Sequence, residues 1–274
     1  MSRRKRVNGP QKGHPRVPGQ RSRRWKLVGA GAIAAVLAAA AVVLSPLGGG
    51  VRGLTSGDSA PPTAVIIDQL SLTAPNPNFA SDATSTLEKA GYATTYIPGE
   101  EVTVDFYRSL PQRDYDLVIF RTHSTALVSR GAEAVPTVSF FTNEPYSRSR
   151  YYDEQVAGRL GFASYTDGGD QLFGITAGFI NQSMEGDFGG ATVIMMGCDG
   201  LKNEEAAKAF LAKGASSFTS WSEFVTASHT DAATERLLSY LVTEKIPLPE
   251  AVARTNADLG PDPTYGSELL YRLD

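Results

Sequence analysis

Two stretches decide the fold: Leu117-Val118-Ile119-Phe120-Arg121-Thr122, which runs into His123, and Ala191-Thr192-Val193-Ile194-Met195-Met196, which runs through Gly197 into Cys198. Both are short continuous apolar runs and not strict alternations, so both predict strands buried on two faces, as in a mainly parallel sheet. Each ends on a residue that can do chemistry. In an open α/β sheet, sites are built just beyond such strand ends.

Working outward, the other segments alternate strand and helix. Thr63 to Leu70 is a short apolar run, followed by a Pro/Asn turn and a helix near Phe79 to Ala90, with Phe79, Ala83, Leu87 and Ala90 on one face and Gly91 as its stop. Ala93 to Ile97 predicts a strand, and Val104 to Leu110 a helix after the cap Thr103. Between Ser124 and Gly190 the pattern weakens to a strand or hairpin at Val135 to Thr142, a helix near Arg150 to Leu160 and a Gly/Asp loop at 167 to 170. Regularity then returns. The Cys198 strand precedes a helix capped by Asn203, with Glu204 and Glu205 in its first turn and Gly214 at its end. Ser216 to Phe224 predicts a strand, Asp231 to Thr243 a helix capped by Thr230, Pro249 to Leu259 another helix, and Glu268 to Leu273 a last strand. The fold class is α/β: about five or six strands, mainly parallel, with helices on both faces, in one domain over residues 63–274.

Charge divides the 274 residues sharply. Ten of the 26 Lys and Arg lie before Leu27, while the first acidic residue is Asp58, so the remaining 16 bases face all 29 acids. A domain so acidic offers no footprint for nucleic acid. The basic segment has another explanation. Leu27 to Val51 carries no charge, and Leu27 to Leu44 consists of Ala, Val, Leu, Ile and Gly, about the length that crosses a bilayer as one helix. The positive-inside rule then keeps the N-terminus in the cytoplasm and places the C-terminal domain outside. Residues 1–26 read as a disordered basic tail, 27–47 as a transmembrane signal-anchor or export signal, and 48–62 as a flexible linker. Ala38-Ala39-Ala40 suits signal cleavage and would leave a secreted domain; the length of the apolar run favours a retained anchor at the cell membrane.

Cys198 is the only cysteine, so no disulfide within the chain explains it. A cysteine attacks as thiolate and needs a neighbouring base. The chain has three histidines: His14 precedes the membrane segment, which leaves His123 and His229. His123 is preferred because its strand can neighbour that of Cys198. His229, in Ser228-His229-Thr230-Asp231, reads as structural at a helix start and as the reserve base. The Cys198 N–H, with Gly197 or Ser124 near it, would stabilise an oxyanion, and Gly197 and Gly200 give backbone room. Asp68, Asp199 and Glu223 are candidates for a cation-selecting pocket, although in so acidic a domain solvated or capping acids fit them better. Asp167-Gly168-Gly169-Asp170 has too few ligands for Ca²⁺, one cysteine gives no zinc spacing, and Gly197-x-x-Gly200 is not a phosphate loop. No cofactor is expected.

A hydrophobic strand ending in His and a later one ending in Cys with a small turn resemble the caspase-like cysteine peptidases of clan CD. The segments AAKAFLAKGASSFTSW (206–221), TDAATERLLSYLV (230–242) and PLPEAVARTNADLG (247–260) resemble the helix, strand, helix, helix ending of bacterial CHAT domains. The resemblance spans about Thr63 to Gly260. It implies a His123–Cys198 dyad that cleaves peptide bonds through an acyl-enzyme, with Ser220, Trp221 and Ser222 on the strand that meets substrate backbone. Such a protein would act on a protein or peptide substrate at the cell surface. Two positions depart from the pattern, Ser124 where the family carries Gly and Gly197 where it commonly carries Ala, and a catalytically silent binding or scaffold domain is the alternative. A third is a doubly wound domain that binds a small ligand, with Cys198 lining the pocket.

Overall fold

The computed structural model describes residues 60–127, 137–166 and 168–274. The segments expected to be a basic tail and a membrane anchor, most of the expected linker, and Asp167 lie outside the described residues. Among those described, no helix is long and apolar enough to cross a membrane.

In chain order the elements are β1 (Thr63–Asp68), α1 (Pro77–Lys89), β2 (Ala93–Pro98), α2 (Val104–Ser109), β3 (Leu117–Arg121), β4 (Ser124–Leu127), β5 (Thr137–Pro145), α3 (Tyr152–Val156), β6 (Leu160–Ala163), β7 (Leu172–Ile175), α4 (Ala177–Gln182), β8 (Thr192–Met195), α5 (Glu205–Ala212), β9 (Ser217–Trp221), α6 (Ala227–Leu238), α7 (Leu248–Leu259) and β10 (Leu269–Leu273). Six strands form the central sheet in the order β10-β9-β8-β3-β1-β2, parallel except for β10. This is the mixed α/β architecture with a mainly parallel sheet that the apolar runs predict. Every residue of β3 is buried, as is nearly all of β1. Side-chain alternation sends Val65, Ile67, Val118, Phe120, Val193 and Met195 into one core with α2, α4 and α5. It sends Ala64, Ile66, Ile119, Ile194 and Met196 into a second core with α1, α6 and α7. Each such aliphatic or aromatic side chain contributes about 1.5–3 kcal/mol by leaving water.

The chain steps outward from β1 to β2, then returns to the other side of β1 with β3 and continues through β8 and β9. The order therefore reverses between β1 and β3, and the carboxyl ends of these strands border the crevice where open α/β sheets hold ligands.

The weak middle of the sequence forms a second, antiparallel sheet, β4-β5-β7-β6. The helix expected over Arg150 to Leu160 is a single turn, bounded by left-handed Tyr151 (φ 53) and Gly158 (φ 68), and Leu160 is buried at the start of β6. The helix expected to start at Asp231 after a Thr230 cap begins at Ala227 instead. Its Thr230 hydroxyl does not cap; it donates to the Met196 carbonyl (2.9 Å) and accepts from Trp221 Nε1 (2.8 Å), so tertiary bonds replace the local one. The cap position of α5 is Glu204 and not the expected Asn203, which stands one residue earlier with Oδ1 accepting from the Glu205 N–H at 3.0 Å.

Candidate active site at the β3 and β8 ends

β3 and β8 are parallel neighbours whose last paired residues are Phe120 and Met195. His123 and Cys198 each follow that pair by three residues, past the strand ends. Ile119 and Arg121 precede His123 on the α1/α6 face, and Ile194 and Met196 precede Cys198 there.

His123 is partly buried. Its N–H donates to Gln69 Oε1 (2.9 Å), its carbonyl accepts from the Phe141 N–H (3.0 Å), and its Nε2 lies 3.2 Å from Thr73 Oγ1. The ring packs against Tyr165 (4.8 Å between centroids) and Phe141 (5.8 Å). Burial, reinforced by the Arg121 guanidinium, pushes the imidazole down to about 4, so at neutral pH it is uncharged and able to accept a proton.

Cys198 is also partly buried, and its thiol points to the Val225 carbonyl at 3.7 Å. Burial pushes the thiol up, the Val225 contact opposes this, and the negative charges of Asp199 and Asp262 add to the rise. The resting pair is therefore neutral thiol and neutral imidazole, not an ion pair. Among the described residues no hydrogen bond joins the two groups. The Cys198 carbonyl accepts from Ser124 Oγ, which ties the two strand ends together. Ser124 thus brings its hydroxyl to the turn and not to an oxyanion. At Gly197 a Cβ would run into the Ser124 hydroxyl and the Thr122 carbonyl and come within 2.6 Å of Met195 Cε, so only glycine fits between the strand ends. A Cβ at Gly200 would strike Ser220. Asp199 between them is left-handed (φ 59), with its N–H on the Glu223 carbonyl (3.0 Å).

Beneath the site lies a buried ion cluster. Arg121 donates through Nη1 to Asp68 Oδ1 (2.8 Å), through Nε and Nη2 to Asp231 (2.8 and 2.9 Å), and through Nη2 to the Ala74 carbonyl (2.9 Å). Tyr96 donates to Asp68 and Asn76 to Asp231, both at 2.8 Å.

These contacts correct several expectations. Asp68 is spent on Arg121 and is no free specificity carboxylate. Asp199 is buried beside Lys202 (3.5 Å), which also pairs with Glu223. Ser220 and Trp221, expected on the strand that meets substrate backbone, pair with Leu270 and Leu269 of β10, and their side chains are wholly buried, Ser220 Oγ on the Met195 carbonyl (2.9 Å) and Trp221 on Thr230. Ser222 is partly exposed and its N–H bonds the Glu268 carbonyl (3.0 Å). His229 packs on the Trp221 ring at 5.3 Å, inside α6. Among the described residues no group of three or more His, Cys, Asp or Glu could hold a metal.

Gln69, Asn143, Tyr165 and Asp231 surround the site and carry no signal in the sequence, because each reaches it across more than 50 positions or from the second sheet. Arg121 was legible only as a charge inside an apolar run. That anomaly demands a buried counter-ion.

No family model and no curated protein matches the chain. Among solved structures, the Arg-specific cysteine proteinase gingipain R is similar over 72% of this chain and 42% of its own, with 9% identity and a TM-score of 0.41. This chain thus matches less than half the length of that neighbour. A likeness so distant assigns no activity and no residue roles.

Proposed function

We propose that the chain is a caspase-like cysteine endopeptidase, anchored in the cell membrane by residues 27–47, with its catalytic domain outside the cytoplasm. The observation that supports this is the register of β3 on β8, in which the last paired residues, Phe120 and Met195, precede His123 and Cys198 by three positions each. In the tautomer where His123 Nε2–H donates to Thr73, Nδ1 is the nitrogen left to act as base. It takes the thiol proton as sulfur attacks the scissile carbonyl, and the Cys198 N–H donates to the developing oxyanion. Collapse breaks the C–N bond, and the imidazolium returns its proton to the leaving amine. Water, deprotonated by the same nitrogen, then hydrolyses the thioester and frees the thiol and a carboxylic acid. No cofactor enters this scheme.

Cys198→Ala and His123→Ala should each abolish hydrolysis of a fluorogenic peptide library and labelling by a thiol-directed electrophile, whereas His229→Ala should leave both intact. Undiminished labelling of His123→Ala would refute the dyad. An alkaline phosphatase fusion after residue 62 tests the topology: activity is expected, and its absence would place the domain in the cytoplasm.

One observation favours a second reading, a binding or scaffold domain without turnover. The thiol rests on Val225 and the imidazole on Thr73, each engaged away from the other. That domain would keep its partner in Cys198→Ala and yield no cleavage product.

A further inference from the structure

Resting on the dyad reading, we propose that Gln69 is the positioning residue of His123, a buried amide that fixes the base from the switch point of the sheet. Gln69 follows β1 directly and is 0% exposed. A buried amide must satisfy four hydrogen-bonding positions, two donors and two lone pairs. Here both donors and one lone pair are used outright: Nε2 donates to Asn143 Oδ1 (2.7 Å) and to Tyr165 OH (2.6 Å), and Oε1 accepts from the His123 N–H (2.9 Å). The Thr122 hydroxyl lies 3.2 Å from Oε1 and shares its one proton among that oxygen and the His123 and Phe141 carbonyls.

The orientation of the amide is over-determined. Its oxygen faces His123 because its nitrogen has two acceptors behind it, and flipping it would set N–H against N–H. Asn143 is fixed in turn, with Nδ2 donating to the Gln69 and Gly99 carbonyls (both 2.9 Å), and Tyr165 OH donates on to Asn143 Oδ1 (2.9 Å). Tyr165 thus carries the geometry of the triangle to the imidazole, against which its ring packs. The same segment supplies Thr73 to the ring nitrogen. One stretch, residues 69 to 73, therefore holds both the backbone and the ring of the base, and Asn143 and Tyr165 lock it to the second sheet.

The test uses the full chain in detergent, measuring the rate of Cys198 alkylation by iodoacetamide across pH and the His123 ring titration by NMR, with His123→Ala identifying the signal. Gln69→Leu removes every bond of the amide while keeping its bulk, and should slow alkylation at pH 7 by about tenfold or more, since a base displaced by an ångström loses much of its effect. Gln69→Glu keeps an acceptor facing the His123 N–H, gives up the donor to Asn143 Oδ1 and adds a negative charge; it should recover part of the rate and raise the His123 midpoint above about 4. A Gln69→Leu protein with wild-type rate and midpoint, alongside a slowed His123→Ala, would overturn the assignment. If Gln69→Leu does not fold, an unchanged midpoint in Gln69→Glu overturns it equally. Wild-type alkylation in His123→Ala is a separate outcome that removes the dyad and this role with it.

Discussion

Arg121→Met replaces the buried cation with an apolar chain of similar length and leaves Asp68 and Asp231 facing each other out of water. The side chains of all three are almost wholly buried, at 1%, 2% and 6% exposure. At an effective dielectric near 20, each charge pair about 4 Å apart is worth about 4 kcal/mol, and removing several kcal/mol of hydration per ion offsets most of that sum. The intact cluster therefore adds little net stability. Deleting its centre is another matter, because the desolvation of two carboxylates then stands uncompensated. The expected loss is about 3–5 kcal/mol, and Arg121→Lys, which keeps the charge but cannot fork to two carboxylates, should lose less. Urea unfolding of the full chain, followed by fluorescence of the buried Trp221, reads this directly. A loss below about 1 kcal/mol for Arg121→Met would refute the reasoning, since it would mean that water already reaches the carboxylates.

Two further outcomes are set by the same geometry. Gly197→Ala forces a methyl between Ser124 and Thr122; overpacking of this kind costs about 1–3 kcal/mol, and parting the strand ends should also slow Cys198 alkylation. Native stability close to wild type would contradict it. The second concerns pH. His123 titrates at about 4 when folded and near 6.5 when unfolded, so between these values the unfolded chain binds more protons and stability falls as pH is lowered. The contribution is fully present above 6.5, amounts to at most about 3 kcal/mol, and is lost by about pH 4. His123→Gln should remove this part of the pH dependence of the urea midpoint; an unchanged profile would show that the imidazole is not held neutral by the fold.

The parallel sheet was legible because its signal is local: β1, β3 and β8 are continuous apolar runs, and burial on both faces of a strand needs no partner to be recognised. The antiparallel sheet was not. β6 and β7 have four residues each, with Gly161 and Gly174 inside them, too short for a period to emerge, and their identity as strands exists only through pairing. Thr230 shows the same limit from the other side: beside Asp231 it reads as a cap, but the Trp221 indole and the Met196 carbonyl compete for its hydroxyl and win.

The sequence by itself determined which residues stand at the strand ends, His123 and Cys198, because apolar runs stop where a polar side chain must leave the core. Only the tertiary structure decided that β3 and β8 are neighbours in register, that Gln69 bonds the His123 backbone and Thr73 its ring, and that Ser220, Trp221 and Asp68 are buried structural groups. The reason is physical: burial preference is written in each side chain, whereas hydrogen-bond partners and charge environments depend on which distant segments share the same low-dielectric space.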